Sequence, residues 1–173
     1  MLIAGVVIGW FHIMAVVAVL GGSFFINTVL GSVSKNLTPP EAGKLNQGVG
    51  EAFGKVAWIS TIVILITGVM RAAGLDLFKR SVLIETTYGN LLLVKIVLFA
   101  VIIVNMVGIT RTGLNMAKMV KANAVATATD GGQADPGLMA AAQKRIKTLG
   151  TTNLILGLIV VACAVGMRFI GAP

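Results

Sequence analysis

Cysteine and histidine are almost absent from this sequence, which contains one of each, Cys163 and His12. A lone cysteine excludes an internal disulfide and any zinc or iron–sulfur cluster held by several cysteines. The sequence also shows no nucleophile–base pair, paired carboxylates, phosphate-binding loop or zinc motif. We therefore predict no catalytic residues, and we favour a protein that is not an enzyme.

Charged residues are also scarce, at 12% of the chain against 57% hydrophobic residues. Soluble domains carry about 25% charged residues. With a mean hydropathy of +0.95, this short chain has too little polar surface to cover a water-soluble core. A lipid bilayer is therefore the expected partner of most of its surface.

Acidic residues are the rarest charged group, with 6 Asp and Glu against 14 Lys and Arg. None of the acidic residues falls in a long apolar run, which argues against a proton relay built from carboxylates. The cations lie mostly between those runs, where they fit anionic headgroups and membrane orientation. No basic domain is left over, so we expect no nucleic-acid partner.

Four apolar runs are long enough, or nearly so, to cross a bilayer as helices, which takes about 20 residues each. The predicted fold is an all-α integral membrane protein, a four-transmembrane-helix bundle forming one domain over residues 1–173. The predicted spans are approximately 2–30, 56–73, 89–115 and 146–170. Strands are excluded because an open sheet leaves backbone groups unpaired in lipid. The first run is too long and lacks the basic start of a signal peptide, so we expect it to be a span.

Three connections join these spans. A helix is expected to start after the prolines at 39–40, a short interfacial helix within 74–89, and a mobile loop over 122–137. The flanks of that loop, 111–121 and 138–147, are expected to extend the third and fourth helices. Nine Lys and Arg lie in the first and third connections and four on the other side. The positive-inside rule then predicts an inner-membrane protein with both termini on the non-cytoplasmic side.

His12 is the most informative residue within a span. It lies ten residues into the first run, about 15 Å along a helix and near the bilayer midplane. Gly5, Gly9, Val16 and Val19 share its helical face. A neutral imidazole at that depth can bind haem iron or copper through one nitrogen. It can also hydrogen-bond to another helix, as histidines in membrane bundles do, and the sequence leaves both interpretations open.

Lys95 is the second ionisable residue within a span, about 10 Å beyond Tyr88 along the third helix. It either extends its stem towards the surface or meets an anionic group such as a haem propionate. A six-coordinate haem on His12 would need a second ligand from Met14, Lys95 or His12 of a second protomer. The residues expected at the depth of His12 on the other helices, 62–64, 98–99 and 157–160, offer no ligand.

Sulfur ligands are predicted near the non-cytoplasmic ends of the spans. Met70, Cys163 and Met167 are candidate metal ligands together with His12, because soft sulfur suits Cu(I). Methionine is also common packing material in apolar helices. Asn27, Asn105 and Asn153 are expected to form interhelical hydrogen bonds.

Several short segments carry a family resemblance. Residues 88–95, YGNLLLVK, are similar to the Tyr-Gly-Arg-Leu-Leu-Leu-x-Lys run of the copper-resistance D (CopD-type) membrane domain. The opening segments WFHI at 10–13 and GGSFF at 21–25 resemble its first span, and RIK at 145–147 precedes a span that resembles its last. The resemblance implies four membrane helices and a role in handling copper.

A more distant likeness is to the HemJ-type protoporphyrinogen oxidases, through the Phe-His-Ile start and the lysine on a Leu-rich third helix. That likeness implies haem b at His12 with Lys95 nearby. Further histidines typical of those enzymes, near the end of the first helix and on the third helix, are missing here. Asn27 and Asn105 lie near those positions instead.

Three functions therefore remain open from the sequence. The first is a copper-resistance D protein that handles copper or binds haem or another metal through His12. The second is a haem b electron-transfer or HemJ-like oxidase protein. The third is a non-catalytic accessory subunit, with a homodimer or a larger membrane complex as the partner.

Overall fold

The computed structural model describes residues 2–74, 77, 80–130 and 136–170. Helix α1 (Leu2–Phe25) continues through a π-helical turn at Ile26–Leu30, a short α2 (Gly31–Val33) and a 3₁₀ turn at Ser34–Asn36. The remaining helices are α3 (Pro39–Gly74), α4 (Arg80–Glu85), α5 (Thr87–Asp130) and α6 (Pro136–Ile170). These residues contain no strand, and the all-α prediction is confirmed.

The distribution of apolar side chains is the reverse of that in a soluble protein. Ile3 is 80% exposed and Phe169 87%, whereas the hydroxyl residues Ser60, Thr61 and Thr67 are buried. Four helical segments of 34 residues, each containing an 18-residue window with a mean hydropathy between 1.9 and 2.7, are long and apolar enough to cross a membrane. Lipid is the medium that stabilises such a surface, and the chain is a multi-pass membrane protein built as a four-helix bundle.

The four long helices pack in the order α1, α3, α5, α6 around the bundle. The largest interfaces are α1 with α3 and α5 with α6. Trp58 on α3 donates a hydrogen bond to the Thr110 hydroxyl on α5 (3.1 Å). Between α6 and α1, Gly157 lies directly against Leu20: a Cβ added to the glycine would be 2.5 Å from Cδ2 of the leucine. Small residues allow this approach in membrane bundles.

Asparagine side chains join the helices, as the sequence predicts. Asn105 Nδ2 donates to Asn153 Oδ1 between α5 and α6 (3.0 Å). Asn27, in the π-helical turn, accepts a hydrogen bond from the Thr151 hydroxyl on α6 (3.0 Å). Such bonds contribute about 0.6 kcal/mol each in a membrane interior, so they set helix register more than overall stability.

One end of the bundle holds the start of α1, the end of α3, all of α4, the start of α5 and the end of α6. We call this the N-terminal end. Four residues form its apolar core: Ala72, Leu77, Leu92 and Met167. Helix α4 is the short helix expected between the second and third spans, and it packs on α5. Asp76 and Lys79, which belong to this connection, lie outside the described residues.

Helix α3 starts at Pro39, so the two prolines form its first turn rather than preceding it. The Thr38 backbone N–H donates to the Glu41 carboxylate (3.0 Å), and the Thr38 hydroxyl donates to the same oxygen. A glutamate at the third helical position that bonds back to the preceding threonine satisfies a backbone N–H left free by the first turn. This contact sets the boundary between the first connection and α3.

The loop predicted over 122–137 is wrong for most of its length. Helix α5 continues to Asp130, and α6 begins at Pro136; residues 131–135 lie outside the described residues. The small residues taken for a loop include several alanines. Alanine has the highest helix propensity, and extending an existing helix is easier than nucleating one. The predicted helical flanks at 111–121 and 138–147 are confirmed.

Candidate functional site

His12 makes an interhelical hydrogen bond from Nδ1 to the Thr67 hydroxyl on α3 (2.8 Å), and the Ile64 backbone carbonyl also lies within hydrogen-bonding range of the imidazole. The Thr67 hydroxyl is itself a donor to the Val63 backbone carbonyl. A hydroxyl has one proton to give, so with that proton on the carbonyl, the Thr67 oxygen accepts from Nδ1–H. Nε2 then carries the lone pair, which is the arrangement that metal-binding histidines use.

We predict that this tautomer is visible by nuclear magnetic resonance in detergent. Because the chain has one histidine, its imidazole nitrogens give one unambiguous pair of signals. The proton is expected on Nδ1, and Thr67→Val, which keeps the side-chain shape without the hydroxyl, is expected to shift the Nδ1 signal strongly. Ser60→Ala, which removes another buried hydroxyl of α3, serves as the control. A proton on Nε2 in the unmodified protein would contradict the assignment.

Two cations lie within electrostatic range of His12. Lys95 on α5 and Arg71 on α3 both interact electrostatically with the imidazole. Arg71 is placed by Gly9, one turn before His12 on α1: a Cβ at residue 9 would be 3.2 Å from the guanidinium Nη1. Since any side chain there would press on the guanidinium, Gly9 opens the face of α1 to Arg71.

The single cysteine belongs to the same region. Cys163 on α6 is half-buried and interacts electrostatically with Lys95, as Arg71 does. Lys95 thus interacts electrostatically with the only histidine and the only cysteine of the chain, which lie on the first and last helices. We call His12, Thr67, Arg71, Lys95 and Cys163 the polar cluster. All four long helices contribute to it.

The predicted methionine ligands lie apart from one another. Met167 is buried against Ala72 and Leu92 in the apolar core of the N-terminal end. Met70 is 50% exposed. Because Met70 and Ala72 are two residues apart on α3, they point about 200° apart, so Met70 faces away from Met167. Met14 is 47% exposed and, two residues after His12, faces away from the polar cluster on α1.

The polar cluster contains cations without acidic partners. Within the described part of the chain, neither Lys95 nor Arg71 pairs with a carboxylate, and no three His, Cys, Asp or Glu side chains are grouped as a metal site. The chemistry available is therefore one imidazole nitrogen, one thiol and two positive charges. That set suits a soft monovalent metal on two ligands, or an anionic group near the imidazole.

Thr67 and Arg71 interact with His12, and neither was a candidate site residue from the sequence. The expected neighbours of His12 on the second span were residues 62–64. The Ile64 backbone does interact with the imidazole, and Thr67 and Gly68, about one helical turn further along α3, contact it as well. The packing of α1 on α3 sets this register, which the ends of the apolar runs do not define. The i, i+4 spacing of Thr67 and Arg71 on one helical face was the available signal.

The glycine of the YGNLLLVK segment has a structural role near the cluster. A Cβ at Gly89 would lie 2.6 Å from the Leu83 Cα, and it would also clash with the Val82 backbone carbonyl oxygen. The Gly89 N–H donates to the Thr86 hydroxyl (3.0 Å). Only glycine lets the backbone of α4 approach the first turn of α5 this closely, and that turn leads to Lys95.

Comparison with known proteins gives one family match. Residues 47–167 match the model of a family described as copper resistance protein D. No curated protein and no solved structure matches significantly. The matched segment spans most of α3, all of α4 and α5, and α6 up to Met167, so it holds four residues of the polar cluster. His12 precedes it.

Proposed function

Because this chain belongs to the copper resistance protein D family, we propose that it handles copper within the bilayer by holding Cu(I) between His12 and Cys163. The observation that supports this proposal is that the only imidazole and the only thiol of the chain both interact electrostatically with the same lysine, Lys95. These are the two strongest soft-metal ligands in the sequence, and they lie on helices that are distant in sequence.

The ligand chemistry supports Cu(I) over other metals. Thiolate and imidazole together select soft metals, whereas Mg²⁺ and Ca²⁺ require several oxygen ligands. The hydrogen bond from Nδ1 to Thr67 orients the ring and leaves Nε2 for the metal. Binding replaces the thiol proton by Cu(I) and releases that proton. The thiolate–Cu(I) unit is then neutral.

The two cations make this a site for transient binding. Lys95 and Arg71 repel a free copper ion approaching the imidazole, since like charges repel strongly where the dielectric constant is low. Lys95 also balances the charge of the thiolate once the proton has left. A site that accepts copper only as a neutral complex fits a metal in transit. In this proposal copper is the protein's cargo and not a resident cofactor.

We predict that purified protein binds one Cu(I) per chain in competition with a chromophoric Cu(I) chelator. Ag(I), which prefers the same soft ligands, is expected to compete, and Zn²⁺ is not. Cys163→Ser, which replaces sulfur by oxygen at equal size, is expected to abolish binding at this stoichiometry. Met70→Leu, which removes an exposed sulfur, is the matched control. Unchanged stoichiometry in Cys163→Ser would contradict the proposal.

Haem b is the second candidate, favoured by the two cations without carboxylate partners beside His12. In that case His12 Nε2 would bind the iron. Arg71 would hold a propionate, and Lys95 would either hold the other propionate or, as a neutral amine, serve as the second iron ligand. Haem would supply electron transfer. Met14 faces away from the cluster, so if Lys95 holds a propionate, the second ligand would come from a second protomer. A Soret band in the purified protein that is lost in His12→Ala would favour this candidate over copper.

We also propose an inner-membrane location with both termini on the non-cytoplasmic side, supported by the nine-to-four distribution of cations between the two sides. The polar cluster then lies in the non-cytoplasmic half of the bilayer. A role as accessory subunit of a larger complex, or as a homodimer, would be supported by copper-independent copurification with other subunits or with a second copy.

A further inference from the structure

A cleft lies between α5 and α6 at the end of the bundle opposite the polar cluster. The two helices are joined by the Asn105–Asn153 hydrogen bond and by the contact of Gly108 with Leu149, where a Cβ would lie 3.3 Å from Cδ1. Beyond these contacts the helices leave two adjoining clefts of about 550 and 260 Å³, which share Thr112, Asn115 and Arg145. We call the pair the α5–α6 cleft.

The walls of this cleft change character along the helices. One part is apolar and is lined by Ile103, Val104, Val107 and Leu149. The other part is polar and cationic, with Arg111, Thr112 and Asn115 on α5 facing Arg145 on α6. The change occurs near residues 110 and 148, where the apolar runs of the third and fourth spans end. The cleft therefore crosses the level at which hydrocarbon gives way to headgroups.

The apolar wall opens towards lipid. Val104 lines the cleft and is still 69% exposed, so a molecule in the bilayer reaches the cleft without passing through the bundle. Arg111 and Arg145 are exposed as well. Among the residues that the structure describes, neither guanidinium has a carboxylate partner. Arg111 and Arg145 line the same cleft from facing helices, and guanidinium groups are well suited to bind phosphate oxygens.

We propose that the α5–α6 cleft binds an anionic phospholipid, with its phosphate between Arg111 and Arg145 and an acyl chain along Val104 and Val107. The volume of the larger cleft, about 550 Å³, lies within the range of about 300–1,000 Å³ typical of ligand sites. Basic pockets between membrane helices recognise anionic headgroups through the same chemistry. A free phosphate ion would gain nothing from the apolar wall, and this favours the lipid as the source of the phosphate.

The test is a native mass spectrometry titration of delipidated full-length protein with phosphatidylglycerol and, separately, phosphatidylcholine. Each basic residue at an anionic lipid contributes about fivefold to binding. The double variant Arg111→Gln/Arg145→Gln is therefore expected to bind phosphatidylglycerol about 25-fold more weakly. The control Lys118→Gln/Lys144→Gln removes the same charge from exposed positions of the same helices that do not line the cleft, and it is expected to retain binding within about threefold.

Three results would overturn the proposal. Equal losses in the cleft variant and the lysine variant would show general attraction to a basic surface. Equal affinity for phosphatidylcholine would show that the headgroup charge is not recognised. Displacement of phosphatidylglycerol by millimolar inorganic phosphate would identify a free-anion site. Arg111→Lys/Arg145→Lys, which keeps both charges, is expected to retain most of the binding and so separates loss of the site from loss of the fold.

Discussion

Replacing His12 with alanine is expected to lower the Cu(I) affinity of the purified protein by at least about 100-fold. Loss of a group that only orients a metal ligand costs 10- to 100-fold in affinity, so loss of the ligand itself lies at or beyond the upper end. His12 is the only imidazole of the chain, and no second histidine can replace it. Competition with a chromophoric chelator at fixed pH measures the change.

The controls for this variant come from the same region. Met14→Ala removes a sulfur two residues away that faces away from the cluster, and it is expected to leave the affinity within about threefold. Thr67→Val removes the partner of Nδ1 and is expected to cost 10- to 100-fold. The double variant His12→Ala/Cys163→Ser is expected to bind no more weakly than either single variant, because the two residues act as one site.

A different outcome would reassign the histidine. If His12→Ala kept its copper affinity but lost thermal stability, the imidazole would serve only to join α1 to α3. If the affinity fell in His12→Ala but not in Cys163→Ser, the second ligand would lie elsewhere. Raising the pH within the stable range is expected to strengthen binding, because each Cu(I) displaces a thiol proton.

Gly89→Ala is expected to destabilise the folded protein by at least about 1–3 kcal/mol, the usual range for overpacking. The new methyl group would clash with the backbone of α4 at Val82 and Leu83. Backbone atoms cannot relieve such a clash by a change of rotamer, as a side chain can. The variant should therefore push α4 away from α5. Thermal unfolding in detergent, followed by circular dichroism, measures the loss.

Gly113→Ala is the matched control, because it lies on the same helix with nothing within 4 Å of its Cβ position. Glycine costs about 1 kcal/mol relative to alanine in a helix interior, so this variant is expected to be neutral or more stable. Equal stability of the two variants would contradict the close approach of α4 to α5. Copper binding is expected to weaken in Gly89→Ala alone, since the first turn of α5 leads to Lys95.

The sequence was sufficient for the four-helix fold because a chain with so few charges has one stable arrangement in lipid, and hydrophobic length identifies each span. Asparagines within those spans predicted their own hydrogen bonds, since a buried amide in hydrocarbon needs a partner. The extended α5 was missed because small residues indicated a loop, whereas their helix propensity prevailed once a helix was already present.

The members of the polar cluster could be identified only from the structure. His12, Lys95 and Cys163 were candidates on chemical grounds, but the sequence grouped His12 and Cys163 with two methionines and did not single out these two residues as a pair. Helix order and register decide which residues meet, and neither is encoded in the length of an apolar run. Arg71 counted only as a surface cation, although the bare face of Gly9 lets its guanidinium lie beside the imidazole.

The two proposed copper ligands lie on the first and the last membrane helix, with 150 residues of chain between them. During synthesis, His12 enters the bilayer long before Cys163 leaves the ribosome. A nascent chain therefore holds half of the binding pair and cannot sequester the metal until α6 has inserted. The protein can therefore bind copper only after the four-helix bundle is complete.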